Sequence, residues 1–395
     1  MKILSIGDLH LGKVVNGYSL LTHQIESLNQ VKKALRDHQV DLLMITGDLY
    51  DRAIPPKEAI KVFDNFLNDV LKENIKVSYI AGNHDSYERT SFLSDVLKGT
   101  SLFIGKEFDQ TIDSFTLKEG NQTYRFYLIP FMPYQYVREI LNDDSIDCFQ
   151  KSYEAMLKTI ELNDNEINLL MTHAFIGHSG INPEVSDSEK TLAVGGLDFV
   201  DSQLFEAFDY TLLGHIHKPQ SVYYDNVRYT GSIYKYSFSE ETHQKSMLLL
   251  EINSKEDIKQ TLIPMHMSKE WHTLSMSFDE IINNESLISK HQNDYVRIRL
   301  TDENDVSDGV ARLKQRFPYL MEFSYQKDAL FVSPGGTVTD QLAKDMLNKE
   351  NPEKTMRSLF IEFSRTQANL ELDEVDLKIV EETIEELIRG NNDEN

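Results

Sequence analysis

"IGDLHLG", Ile6 to Gly12, ends the apolar run Ile3 to Ile6 with a glycine, an acid and, two residues on, a histidine. A strand broken at Gly7 leaves its sheet sharply and presents Asp8 and His10 in the turn that follows. The event recurs. Leu42 to Ile45 runs into "ITGDLYD" (Ile45 to Asp51), which carries Asp48 and Asp51, and Val77 to Ala81 runs into "IAGNHDS" (Ile80 to Ser86), which carries Asn83, His84 and Asp85. Helical patterns over Gln24 to Arg36, Lys57 to Leu71 and Ser91 to Leu97 fill the intervals, giving a β-α-β rhythm. Two later strands end the same way: "LLMTHAF" supplies His173, and "TLLGHIHKPQ" (Thr211 to Gln220) supplies His215 and His217. The period of two in extended chain points both of these imidazoles to one side, so they could share one ion or serve two adjacent ions. Taken singly, each residue is an ordinary turn or surface group. Placed only at strand ends, in order, the set converges on one crevice, because ligands at the carboxyl ends of neighbouring strands meet there. His178 and His243 lie in loops without such a setting, and Cys148 has no Cys or His neighbour at ligand spacing, so all three read as ordinary residues.

Beyond the third turn the rhythm changes. Thr111 to Leu117 and Tyr124 to Ile129 flank "KEGNQ", and Gln220 to Tyr224 and Val227 to Tyr229 flank "DN"; both pairs read as hairpins. With the strand-like "SMLLLEI" and "IKQTLIPM" they predict an α/β protein, a mixed sheet or a two-sheet β-sandwich flanked by helices, over residues 1–268. A small α+β capping domain is expected at 269–335: strand His272 to Met276, helix Phe278 to Ser289, strand Tyr295 to Leu300, helix Val306 to Phe317 and strand Leu320 to Tyr325. The turn-rich "VSPGGTVTD" then leads to a C-terminal helical arm at 336–395, in two stretches, Asp340 to Thr366 and Glu371 to Arg389.

With 395 residues, 40% hydrophobic and 10% aromatic, the composition is that of a globular protein, and no apolar run approaches the roughly 18 residues of a membrane span. "MKILSIGDLH" is too short for a secretory core, and a single cysteine fits a reducing compartment, so the expected location is cytoplasmic. The net charge of −24 argues on first reading against a nucleic-acid partner. The distribution changes that reading. Ten acids against Lys378 and Arg389 place −8 of the total in Glu371 to Asn395. Four motif turns each carry a base soon after their candidate ligands, Lys13, Arg52, Arg89 and Lys218, and these could make the mouth of the crevice positive and hold nucleic-acid phosphates without reading sequence.

D-x-H, G-D-x-x-D, G-N-H-D, a lone His and G-H-x-H, present as "GDLH", "GDLYD", "GNHD", "TH" and "GHIH", resemble the motif set of the calcineurin-like metallophosphoesterases, with every element matched. Longer phrases, "FDYTLLGHIHKPQ" and "YTGSIYKYSFSEETHQKSMLLLEI", are similar to nuclease subunits of bacterial exonucleases that work with a coiled-coil ATPase of the SbcC type. The resemblance implies that Asp8, His10 and His217 hold one metal, that Asn83, His173 and His215 hold a second, and that Asp48 bridges them. It implies that His84 acts on the phosphate and that Asp51 orients it. Two divalent ions about 3.5–4 Å apart can activate a water and stabilise the attacking and leaving oxygens at phosphorus. Mixed imidazole and oxygen donors suit manganese best, with magnesium, iron or zinc possible. The implied function is a metal-dependent DNA nuclease, exonuclease and endonuclease, in repair, recombination and replication. The implied assembly is a homodimer within a heterotetramer with the ATPase. The alternative is a phosphodiesterase or phosphatase for small molecules, which shares the motifs.

Overall fold

The computed structural model describes residues 1–97, 99–189 and 198–326, and Leu377 alone beyond them. Residues 1–326 form one compact unit, and 327–395 a second. Apart from Leu377, the expected arm, with both its helices, therefore lies outside the described residues.

Two six-stranded sheets make the centre of the first unit. The first runs, in spatial order, Ile258–Pro264, Ser246–Ile252, Lys2–Ile6, Leu42–Ile45, Lys76–Tyr79 and Leu102–Ile104; the second runs Gln220–Val222, Tyr224–Tyr229, Tyr210–Gly214, Ile167–His173, Gln122–Ile129 and Asp113–Glu119. Alternation along each strand explains the packing. Ile3, Leu42, Met44, Leu248 and Leu250 of the first sheet interleave with Phe126, Leu128, Leu169, Met171 and Leu212 of the second, forming the layer between the sheets. The intervening residues Leu4, Ile6, Leu43 and Ile45 face helices Leu21–Asp37 and Lys57–Lys72 on the outside. Leu170 and Leu213 face helices Tyr134–Leu141 and Phe149–Leu157 on the opposite outside. Burial on both faces is why these strands read as unbroken apolar runs. Helix Lys57–Lys72 buries Ala59, Phe63, Phe66 and Val70, a stripe at three- to four-residue steps.

Lys2–Ile6, Leu42–Ile45 and Lys76–Tyr79 are parallel, as are Ile167–His173 and Tyr210–Gly214, so their carboxyl ends lie along one edge of each sheet. A third sheet, Trp271–Met276, Tyr295–Leu300 and Leu320–Tyr325, all parallel, carries its own core of Leu274, Phe278, Ile281, Ile298, Leu313 and Phe317. Trp271 and Tyr295 depart from that core and pack into the helix-side core of the first six-stranded sheet. Among the described residues no helix is long and apolar enough to cross a membrane.

Three local expectations are corrected. Ser91 to Leu97 is a series of turns after the short helix Tyr87–Thr90, because Leu93 takes a left-handed φ of 67° that a helix does not accommodate. The continuous helix expected from Phe278 to Ser289 is two, Phe278–Ile282 and Glu285–His291: Ser277 and Glu280 cap the first in a reciprocal box, and the Asn284 side chain accepts the Leu287 N–H to start the second. The turn expected at Asp225 and Asn226 falls at Tyr223, whose φ of 63° reverses the chain between Gln220–Val222 and Tyr224–Tyr229.

Candidate metal centre

Three of the ligand-bearing turns leave their strand ends with unusual backbone. Asp8 (φ 48°), His10 (φ 43°), Asp48 (φ 50°) and His215 (φ 101°) are all left-handed although none is glycine, a strain that concentrates at functional sites. Gly47, itself at φ 101°, and Gly82 allow the turns to close on one another. A Cβ on Gly82 would sit 2.1 Å from Asp48 Oδ1, and one on Gly47 2.5 Å from His173 Nδ1. Gln24, fully buried on helix Leu21–Asp37, donates its amide to the carbonyls of Leu9 (2.9 Å) and His10 (2.7 Å) and so ties the first turn to the outer helix.

The turns bring the seven candidate ligands together. His10 Nε2 and His217 Nε2 face each other at 3.1 Å, and Asp8, His10 and His217 offer ligand atoms within 4.8 Å of one another. His173 Nε2 and His215 Nδ1 lie 2.9 and 3.0 Å from Asn83 Oδ1. Asp48 Oδ2 stands between the groups, 3.5 Å from His10 Nε2 and 3.6 Å from His173 Nε2. The far sides of the rings and carboxylates are fixed. His173 Nδ1 is 2.8 Å from the Thr46 carbonyl, the His215 N–H donates to Asp8 Oδ1 (2.9 Å), and the His84 N–H donates to Asp48 Oδ1 (2.9 Å).

The electrostatics are those of a site short of positive charge. Burial, and then the neighbouring imidazoles, push His10 and His215 well below the usual histidine range, so both are neutral, the form that ligates metal. Burial also lowers His173, against the pull of Asp48. Burial raises Asp8 well above the usual carboxylate range, with Asp48 adding to the effect and His217 opposing it. Among the described residues, Asp8 Oδ2 and His10 Nδ1 are buried without a hydrogen-bond partner. An orphaned buried carboxylate oxygen amid neutral imidazoles fits a divalent cation, whose charge would answer the desolvation that raises Asp8.

Residues that the sequence did not single out stand behind His217. Its Nδ1 lies 2.7 Å from Ser188 Oγ and 3.3 Å from Glu240 Oε1, which holds the proton on Nδ1 and leaves Nε2 to face the site. Lys245 Nζ donates to Glu240, to Ser232 Oγ (2.7 Å) and to the His217 carbonyl (2.9 Å). Burial disfavours charge on His217, but Glu240, with Glu189 and Asp8, outweighs it and raises the imidazole; burial likewise opposes charge on Glu240, but Lys245 and His217 hold it well below its usual range. Nothing in the spacing of Glu240 or Lys245 marks them, since neither follows a strand-end glycine.

His84, edge-on to His10 at 4.7 Å between ring centroids, sets its Nδ1 2.9 Å from the main-chain carbonyl of Asp51. Asp51 thus meets His84 through its backbone, while its carboxylate takes a 2.7 Å ion pair from Lys13 and lies 3.8 Å from His10 Nδ1. Of the other bases, Arg52 Nε is 3.7 Å from Asp51, Arg89 donates to the Ala53 carbonyl (2.6 Å), and Lys218 pairs with Glu184. Asp85 accepts the N–H groups of Leu49, Tyr50 and Gly82 at 2.9–3.0 Å and so locks the second and third turns together. His178 stacks on Tyr223 at 3.7 Å between centroids.

A family model described as calcineurin-like phosphoesterase matches residues 1–219. The SbcD component of the nuclease SbcCD from Staphylococcus epidermidis (strain ATCC 12228 / FDA PCI 1200) is 33% identical over 329 residues, covering 82% of this chain and 85% of that protein. Among solved structures, a dimetal phosphatase from Danio rerio matches with a TM-score of 0.41 at 12% identity, covering 67% of this chain and 99% of its own. A phosphoesterase from E. coli matches with a TM-score of 0.27 at 14% identity, covering 67% of this chain and all of its own.

Proposed function

The chain belongs to the calcineurin-like phosphoesterase family, and on that premise we propose that it is the metal-dependent DNA nuclease subunit of an SbcC-type ATPase complex. The observation that carries the reading is the convergence of Asp8, His10 and His217 on one side of Asp48, and of Asn83, His173 and His215 on the other, in a chain similar to a nuclease component over most of its length.

The first group would hold one divalent ion and the second group another, with Asp48 between. Two such ions, manganese the best match to imidazole and carboxylate together, would supply a nucleophilic water and charge neutralisation at phosphorus. The chain's own work is orientation and proton handling. Glu240 and Ser188 fix the His217 tautomer, the Thr46 carbonyl sets the His173 ring, and Asp85 keeps the turns in register. The Asp51 carbonyl accepts a hydrogen bond from His84 Nδ1–H, which turns Nε2 toward the phosphate; with both ring nitrogens protonated, its Nε2–H would give a proton to the leaving oxygen. Lys13, Arg52, Arg89 and Lys218 would exchange their present partners for DNA phosphates.

On this reading residues 1–268 are the nuclease domain, 269–335 a cap that helps to hold DNA, and 336–395 an arm that docks on the ATPase coiled coil. The protein acts in the cytoplasm as a homodimer within a heterotetramer, in DNA repair, recombination and replication. The test is cleavage with added manganese of double-stranded and hairpin DNA, beside a bis-nitrophenyl phosphate ester. Hydrolysis of the ester alone would replace this reading with a small-molecule phosphodiesterase.

A further inference from the structure

A second constellation of ligand type lies away from the candidate metal centre, on the cap. His272 is on strand Trp271–Met276, His291 ends helix Glu285–His291, and Asp294 follows it in the turn to the next strand. His272 Nε2 is 3.4 Å and His291 Nδ1 3.6 Å from the same oxygen, Asp294 Oδ2. The two rings lie 4.2 Å apart between centroids. We propose that His272, His291 and Asp294 form a separate binding site for one zinc-type divalent cation on the cap, with Glu241 of the catalytic domain behind His272.

Three observations support this. The contacts are longer than ordinary hydrogen bonds, whereas ligand bonds of about 2.0–2.2 Å in a tetrahedral zinc site separate neighbouring ligand atoms by about 3.3–3.6 Å. His291 is buried, and among the described residues its Nδ1 has no hydrogen-bond partner although it is aimed at the gap. The outer positions are also set for ligation. Asp294 Oδ1 accepts the Glu270 N–H (3.1 Å), which turns Oδ2 toward the histidines, and Glu241 Oε1 lies 3.7 Å from His272 Nδ1, behind the ring, where a carboxylate orients a ligating imidazole. Burial, and then His272, hold His291 below its usual range and keep it neutral for ligation. His272 and Asp294 are partly exposed, so an ion can enter and a water can take the fourth position.

The site has a mechanical consequence. Glu241 belongs to the catalytic domain and directly follows Glu240, the carboxylate behind His217, so a cation on the cap would brace the loop that supports the candidate metal centre.

The test counts metal in the full-length protein after loading with zinc and gel filtration. Asp294→Asn retains an acceptor for the Glu270 N–H but replaces the anionic ligand, and it should bind one zinc equivalent fewer than the unaltered protein. Cobalt should show an intense tetrahedral absorption in the unaltered protein that this variant lacks. Glu241→Gln, further from the ion, should still bind but with affinity about 10- to 100-fold lower; it serves as the second variant should Asp294→Asn fail to fold. Equal zinc counts in the unaltered protein and a folded Asp294→Asn, or equal affinity in Glu241→Gln, would overturn the proposal.

Discussion

Glu240 and Lys245 have fully buried side chains, and their charges meet behind His217. A buried pair contributes little net stability over apolar residues of the same shape, but breaking it leaves one charge stranded. Lys245→Met should therefore lower stability by about 3–5 kcal/mol in urea denaturation. Glu240→Gln keeps the shape and removes the charge, and should weaken manganese binding about 10- to 100-fold by calorimetry, because His217 loses the partner that sets its tautomer. His84→Gln makes the complementary case: metal binding should persist while DNA cleavage falls by at least two orders of magnitude, the lower range of a lost general acid. Retained turnover, or lost metal, would remove His84 from the role given to it. His243 adds a pH term. Burial, and then Lys245, push its pKa down to about 4, so the folded protein binds fewer protons than the unfolded chain between that value and about 6.5. Stability should fall as the pH drops through this window, and His243→Gln should flatten that part of a stability-against-pH curve.

At the scale of elements the turns, more than the strands, determine the site. Gly82→Ala would drive a methyl into Asp48; the expected outcome is a folded protein with normal secondary structure by circular dichroism and weakened binding of added manganese by calorimetry. Much of this scale was legible in the sequence. Apolar runs cut by glycine and followed by Asp, Asn or His marked strand ends, since a strand buried on both faces has no polar alternation to disguise its limits. Other features left no such signal. Gln24 sits within an ordinary helical pattern and acquires its role only when that helix packs behind the first turn. Glu240 lies in a polar stretch, "SFSEETHQK", where only the fold distinguishes the buried acid from Glu241 beside it. Leu93 shows the reverse: an apolar residue with helical spacing whose left-handed backbone ends the helix early.

For the whole molecule, charge must be read by place. The described bases near the site are engaged with Asp51, Glu184 and the Ala53 carbonyl, so DNA would have to displace those partners. Charge reversal at Lys13 and Arg89 should flatten the dependence of log affinity on log salt by about 0.9 for each phosphate no longer neutralised, with little change for a small ester. An unchanged slope would place DNA elsewhere, with the cap as the next surface to test. The acidic residues of the arm belong to a different task on our reading. Truncation before Val338 should leave a manganese-dependent nuclease that no longer copurifies with its ATPase, whereas a truncated chain that aggregates would show that Leu372, Val375, Ile379, Ile384 and Leu387, which recur at three- to five-residue steps in the sequence of the arm, complete the fold.

Trp271, the single tryptophan of the chain, lies at the start of the cap sheet but packs into the catalytic core, 4.8 Å from Phe238 and 5.3 Å from Tyr295 between ring centroids. The molecule thus carries one intrinsic indole fluorophore at the joint between its two sheet systems. Its emission maximum and quenching report on that joint alone, without labelling, so loosening of the cap can be followed in real time as DNA or metal is added.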